Sequence, residues 1–182
     1  MANEVSTELV INFTDASLLD WFLDENLNYN TIINNEEKTY HERVTDLGLD
    51  YLAKLVPDTL TTASDFIQQF GAKWVFFESI SFDDSVLYIY LESAWSAPLQ
   101  FFEKLFNDLK TLDPGVTMTA QWSDEQYNFI GAGYYCATGI DWEEYEPTQD
   151  ELNMFEGWDE EFYEIIETRF AELLQTSKEI LT

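Results

Sequence analysis

Apolar positions recur with two different periods along the chain, and the switch between them marks its organisation. Glu8 to Phe13 reads as a short strand. Thr14 or Asp15 then offers an N-cap to a helix through Leu18, Leu19, Trp21, Phe22 and Leu23. Asn26 to Glu37 is polar and turn-like. From Glu37 to Leu55 the residues Tyr40, Val44, Leu47, Tyr51, Leu52 and Leu55 keep helical spacing until Pro57 stops it. Ser64 to Phe70 predicts a further short helix, closed by Gly71.

From Trp74 the period becomes two. Trp74 to Phe82 and Val86 to Glu92 are rich in aromatic and β-branched residues, and Asp83-Asp84-Ser85 between them predicts an antiparallel hairpin. Ala97 to Leu109 returns to the helical period, with Pro98 in its first turn and Phe101, Phe102, Leu105, Phe106 and Leu109 on one face. After the turn Asp113-Pro114-Gly115, Val116 to Trp122 and Tyr127 to Ala137 predict two more strands around a polar connection. The expected fold is α+β: over residues 1–140, a ferredoxin-like antiparallel sheet with helices on one face.

Residues 141–182 differ in kind and are expected to form an acidic helical extension packed on that domain. Asp141 to Gln149 reads as irregular, and Asp150 to Phe155 as a helical turn. Asp159 to Gln175 reads as a helix with Phe162, Ile165, Ile166, Phe170, Leu173 and Leu174 on one face.

Charge sharpens this division. The 182-residue chain carries 36 Asp and Glu against 8 Lys and Arg, a formal charge of -28, yet its 14 Phe, 10 Tyr and 6 Trp place it outside the disordered class. The same aromatic content fits salt adaptation poorly. Thr111 to Thr168 runs 58 residues with no Lys or Arg, and 12 of its 15 carboxylates fall between Asp141 and Glu167. Such a surface repels nucleic acid and anionic membrane and attracts basic partners. Glu160 and Glu164 also stand at the four-residue spacing where exposed helices usually alternate sign.

Other chemistry is sparse. Cys136 is the only cysteine, so no internal disulfide forms, and pairing with the only histidine, His41, is the one nucleophile arrangement open to it. One His and one Cys do not make a zinc site, and no spaced Asp-X-Asp-X-Asp-Gly calcium loop appears. Gly131-Ala132-Gly133 lacks the third glycine and the lysine of a phosphate loop. No cofactor or metal is expected, and no catalytic residue. The N-terminus has neither a basic nor an apolar signal region, and no run approaches a membrane span, so a soluble cytoplasmic protein is expected.

Gln69-Phe-Gly-Ala-Lys-Trp74, and after a hairpin Glu92-Ser-Ala-Trp-Ser-Ala-Pro98 before a Phe-rich helix, resemble the ferredoxin-like domain of the YubB-like family, over about residues 64–139. That family shows an Asn-Trp-Gly-Thr-Lys-Trp motif and then Thr-Ala-Trp-Ser-Pro-Pro. Gly71, Lys73, Trp74, Ala94, Trp95, Ser96 and Pro98 match, whereas Phe70, Ala72 and Ala97 depart, and the acidic tail has no counterpart. The resemblance implies a fold and a plasmid or phage origin, but no reaction. Trp74 and Trp95, on or beside strands, are expected to serve the core and so maintain the fold, with a pocket around Lys73 as the alternative.

Together these readings point to an acidic DNA mimic of phage or plasmid origin, acting in a bacterial cytoplasm. It would inhibit a host defence nuclease, a restriction enzyme or CRISPR effector, by occupying its basic nucleic-acid groove. The expected contact residues are Asp141, Glu143, Glu144, Glu146, Asp150, Glu151, Glu156, Asp159, Glu160, Glu161, Glu164 and Glu167, with Trp142, Tyr145 and Trp158 as aromatic anchors. The partner is then a basic nucleic-acid-binding host protein, with no direct contact to nucleic acid or membrane. The alternative is an acidic adaptor that regulates a basic host protein without mimicking DNA. An enzyme built on the Trp74 and Trp95 region is a third reading. Oligomeric state is not readable from these residues.

Overall fold

The computed structural model describes residues 3–26, 63–156 and 160–181. The helix expected over residues 37–55, the preceding loop, His41, Trp158 and Asp159 lie outside the described residues. The described elements in chain order are β1 (Glu4–Asn12), α1 (Ala16–Asn26), α2 (Ala63–Phe70), β2 (Val75–Asp83), β3 (Val86–Ala94), α3 (Leu99–Leu112), β4 (Thr117–Asp124), β5 (Ile130–Cys136), β6 (Gly139–Tyr145), α4 (Gln149–Glu156) and α5 (Glu160–Leu181). The six strands form one sheet in the order β2-β3-β1-β4-β5-β6, and every neighbouring pair is antiparallel. The fold is therefore α+β.

Alternation along β1 decides which face is covered. Val5, Leu9 and Ile11 are buried, as are Leu87, Ile89 and Leu91 of β3 and Met118, Ala120 and Trp122 of β4. These pack with Leu19, Phe22 and Leu23 of α1, Phe70 of α2, and Phe101, Phe102, Leu105, Phe106 and Leu109 of α3. The face expected for α3 is thus the buried one. Asp15 caps α1, accepting from the Ser17 backbone N–H at 2.8 Å and its hydroxyl at 2.7 Å. Gly71 takes φ +87° to close α2, and its N–H donates to the Ile67 carbonyl at 2.7 Å.

Two buried aspartates fix corners of this layer. Asp113 accepts from the Thr14 N–H at 2.7 Å, the Thr14 hydroxyl at 2.8 Å and the Gly115 N–H at 3.0 Å, tying the end of β1 to the turn before β4. Asp124 accepts from the Asn128 side chain at 2.6 Å and the Asn3 side chain at 3.3 Å, shaping the β4–β5 connection. A buried carboxylate survives only with such donors.

The C-terminal region belongs to the sheet more closely than its charge suggests. Residues Asp141–Tyr145, expected to be irregular, form most of β6, paired with β5 from Cys136↔Gly139 to Ile130↔Tyr145. Strand pairing supplies the reason, since β6 follows β5 through the two-residue turn Ala137-Thr138 and inherits its register. The division expected at residue 140 falls inside this strand. α5 runs to Leu181, beyond the expected end at Gln175. It lies on the opposite face of the sheet from α3, where Phe162 and Ile166 pack with Ile130, Tyr145, Phe170 and Leu173.

The Gly-Ala-Gly sequence has a packing role. Gly131 faces Trp122 and Gly133 faces Ala120 across the β4–β5 ladder. A Cβ on Gly131 would overlap the indole of Trp122, and one on Gly133 would fall 2.9 Å from the Trp142 Cβ. Glycine at 131 is what lets the Trp122 indole approach this strand so closely.

Candidate protein-partner interface

Alternation along β6 splits the expected contact residues between two faces. Trp142 and Glu144 point to the α3 side. There Trp142 lies 6.4 Å from the Trp122 ring, and Glu144 Oε1 accepts from Trp122 Nε1 at 3.0 Å. Asp141, Glu143 and Tyr145 point to the α5 side. Glu146 follows the strand and is exposed, as is Asp150 in the first turn of α4. Glu156 ends α4. Glu160, Glu161, Glu164 and Glu167 are exposed on α5.

The expected residues therefore do not form one uniform acidic face. Tyr145 and Glu151 are brought together around Arg169 of α5. Glu151 accepts from the Tyr145 hydroxyl at 2.7 Å, the Thr148 N–H at 2.7 Å and the Thr148 hydroxyl at 2.8 Å. Arg169, in the middle of α5, sits over the Tyr145 ring at 4.9 Å and lies 3.9 Å from Glu151 and 2.7 Å from Glu172. Burial alone would raise the Glu151 pKa. The Thr148 N–H, the Tyr145 and Thr148 hydroxyls and Arg169 outweigh it and hold the carboxyl below its usual range. The Tyr145 phenol is correspondingly raised, chiefly by donating to Glu151. This cluster fastens α4 and β6 to α5, and it consumes Glu151 and Tyr145 structurally. The signal for it was the position of Arg169, the first cation after the 58-residue run.

On its outward side α5 carries a shallow depression of about 380 Å³ lined by Glu161, Glu164, Ile165, Thr168, Arg169 and Glu172. Among the described residues no cluster of His, Cys, Asp and Glu could hold a metal ion, and no helix is long and apolar enough to cross a membrane. Cys136 is buried, with its sulfur 2.9 Å from the Thr138 hydroxyl. Burial pushes its thiol up, but bonds from the Thr138 hydroxyl and N–H and the Gly139 N–H, with Lys110 nearby, bring it below the usual range.

The two resemblance motifs meet in space. The Ser96 hydroxyl donates to the Gly71 carbonyl at 2.6 Å, the Ala94 N–H to the Trp74 carbonyl at 3.2 Å, and the Trp95 N–H to the Asn3 carbonyl at 2.8 Å. Trp95 is not core as expected. It is 53% exposed, held at φ +74°, with Lys73 Nζ 4.7 Å from its ring centre. Trp74 is half-buried and packs on Phe76 at 5.0 Å. The latch of hydrogen bonds explains how a bulky residue is kept in the left-handed region. Nothing in the sequence spacing marks that backbone angle.

Comparison with family models, with curated proteins and with solved structures finds no match to this chain.

Proposed function

We propose that the protein is a non-enzymatic acidic inhibitor that occupies the basic nucleic-acid groove of a DNA-handling host protein. The observation that carries this reading is the row of exposed carboxylates along α5, with Asp150 and Glu146 also exposed. The magnitude matters here. Glu160, Glu161, Glu164, Glu167, Glu172 and Glu179 of α5 spread over about 29 Å at about 1.5 Å per residue. That is about one charge per 5 Å, thinner than the ~3.4 Å spacing of phosphates along one DNA strand. Arg169 and Lys178 thin it further. The helix alone underfills the role, so the reading requires β6 and α4 to share the contact.

The order β2-β3-β1-β4, reached through a strand, helix, hairpin, helix and strand, supports reading the first four strands as a ferredoxin-like unit to which β5 and β6 add an edge. With the motifs around Gly71 and Trp95, it supports a plasmid or phage setting and a bacterial cytoplasm. A host defence nuclease is then the fitting target.

The adaptor reading keeps one observation in its favour, since Trp142 is 43% and Tyr163 38% exposed among the carboxylates. The test separating the two is capture of host DNA-handling proteins at low and moderate salt, with wild type and with Glu160, Glu161 and Glu164 reversed to Lys. Mimicry expects steep salt dependence and loss of capture on reversal. Capture that ignores salt or survives reversal overturns it, and an aromatic truncation that dominates affinity favours the adaptor.

A further inference from the structure

We propose that the outer edge of β6 is an addition site for a β-strand of the partner, one that carries Lys or Arg at alternate positions. The proposal rests on the reading of a basic partner and names the part of it that docks.

The geometry follows from register. Cys136↔Gly139 closes the two-residue turn, so Gly139, Asp141, Glu143 and Tyr145 direct their backbone groups to β5. The N–H and C=O of Ile140, Trp142 and Glu144 face away from the sheet. β6 ends the strand order, and among the described residues no turn, loop or cap bond reaches these groups. A row of outward backbone donors and acceptors is a template for another strand.

The side chains decide which strand. Positions opposite Asp141 and Glu143 on the α5 side would be close cross-strand neighbours, about 4.5 Å between Cα atoms, where opposite charges attract and like charges repel. A second copy pairing antiparallel about Trp142 would set Asp141 against Glu143 of its mate. The same two carboxylates thus oppose self-pairing and favour Lys or Arg. On the other side Trp142, 43% exposed, offers an apolar contact to the position facing it.

The experiment uses the full chain and a peptide of four Lys-Val repeats as probe, followed by amide hydrogen exchange. In the free protein the Ile140, Trp142 and Glu144 amides should exchange fast, and those of Asp141 and Glu143 slowly. With peptide the three fast amides should slow at least tenfold. Trp142→Pro removes an outward N–H that the β5 ladder does not use, and should abolish this protection, whereas Trp142→Ala should retain most of it. Peptide binding that leaves the three amides fast, or that Trp142→Pro does not weaken, overturns the proposal. Protection that rises with protein concentration without peptide also overturns it, by showing a second copy on the edge. Reversal of Glu160, Glu161 and Glu164 should leave edge protection intact, so failure of groove mimicry is distinguishable from failure here.

Discussion

Gly131→Ala should be among the most damaging single-methyl substitutions in this protein. The added Cβ would lie within the indole of Trp122, against Cε2, Cζ2 and Nε1. That ring cannot step aside cheaply. Trp122 is 1% exposed, lies 6.1 Å from the Phe102 ring, and donates to Glu144 at 3.0 Å. Overpacking a filled core costs about 1–3 kcal/mol. Losing a hydrogen bond to a charged acceptor adds about 1.5–3 kcal/mol. A loss of about 3–5 kcal/mol is expected, which for a chain of this size lowers Tm by about 10 °C. Urea unfolding of the single variant and of a double-mutant cycle with Trp122→Leu measures it, because removing the ring should recover most of the cost. A cost within about 0.5 kcal/mol of zero, or one that is unchanged when Trp122 is absent, would refute the packing argument.

Two further outcomes test other parts of the structure. At Trp95 the left-handed backbone reverses the usual ranking of small residues, so Trp95→Gly should be more stable than Trp95→Ala by about 1 kcal/mol in thermal melts, whereas at an ordinary position alanine wins by about 0.5–1 kcal/mol. Glu151 has a lowered folded-state pKa, so its contribution is fully present above its unfolded value and is lost as pH falls through the folded one. The stability gap between wild type and Glu151→Gln, read from urea melts, should therefore be constant near neutrality and close at acid pH; a gap that widens on acidification contradicts the assignment.

Much of the sheet domain was legible because β1, β3 and β4 alternate cleanly and α3 is amphipathic. The five apolar residues chosen for the face of α3 are its buried ones. The strand in Asp141–Tyr145 was not legible, since an edge strand with one face in solvent can carry charges where a central strand cannot, and its composition mimics a loop. Trp95 was misread for a related reason. A tryptophan beside a strand usually fills a core, and only the hydrogen bonds from Ser96 and to Asn3 reveal that the chain turns it outward. Of the expected contact residues, charge located the exposed glutamates of α5, but it gave no sign that Glu151 and Glu144 are held by Arg169 and Trp122.

The central place of β1 has a consequence for how the protein is made. Its partners are β3 and β4, and the bond from the Tyr90 hydroxyl to Glu8 spans 82 residues. At about 5–20 residues per second, β1 once synthesised waits about 4–16 s for β3 and longer for β4. During that interval Val5, Leu9 and Ile11 have no sheet to enter, and the interspersed Glu4 and Glu8 are the only charges that keep the segment from pairing with other nascent chains. The β5–β6–α5 unit waits less, because its contacts are close in sequence.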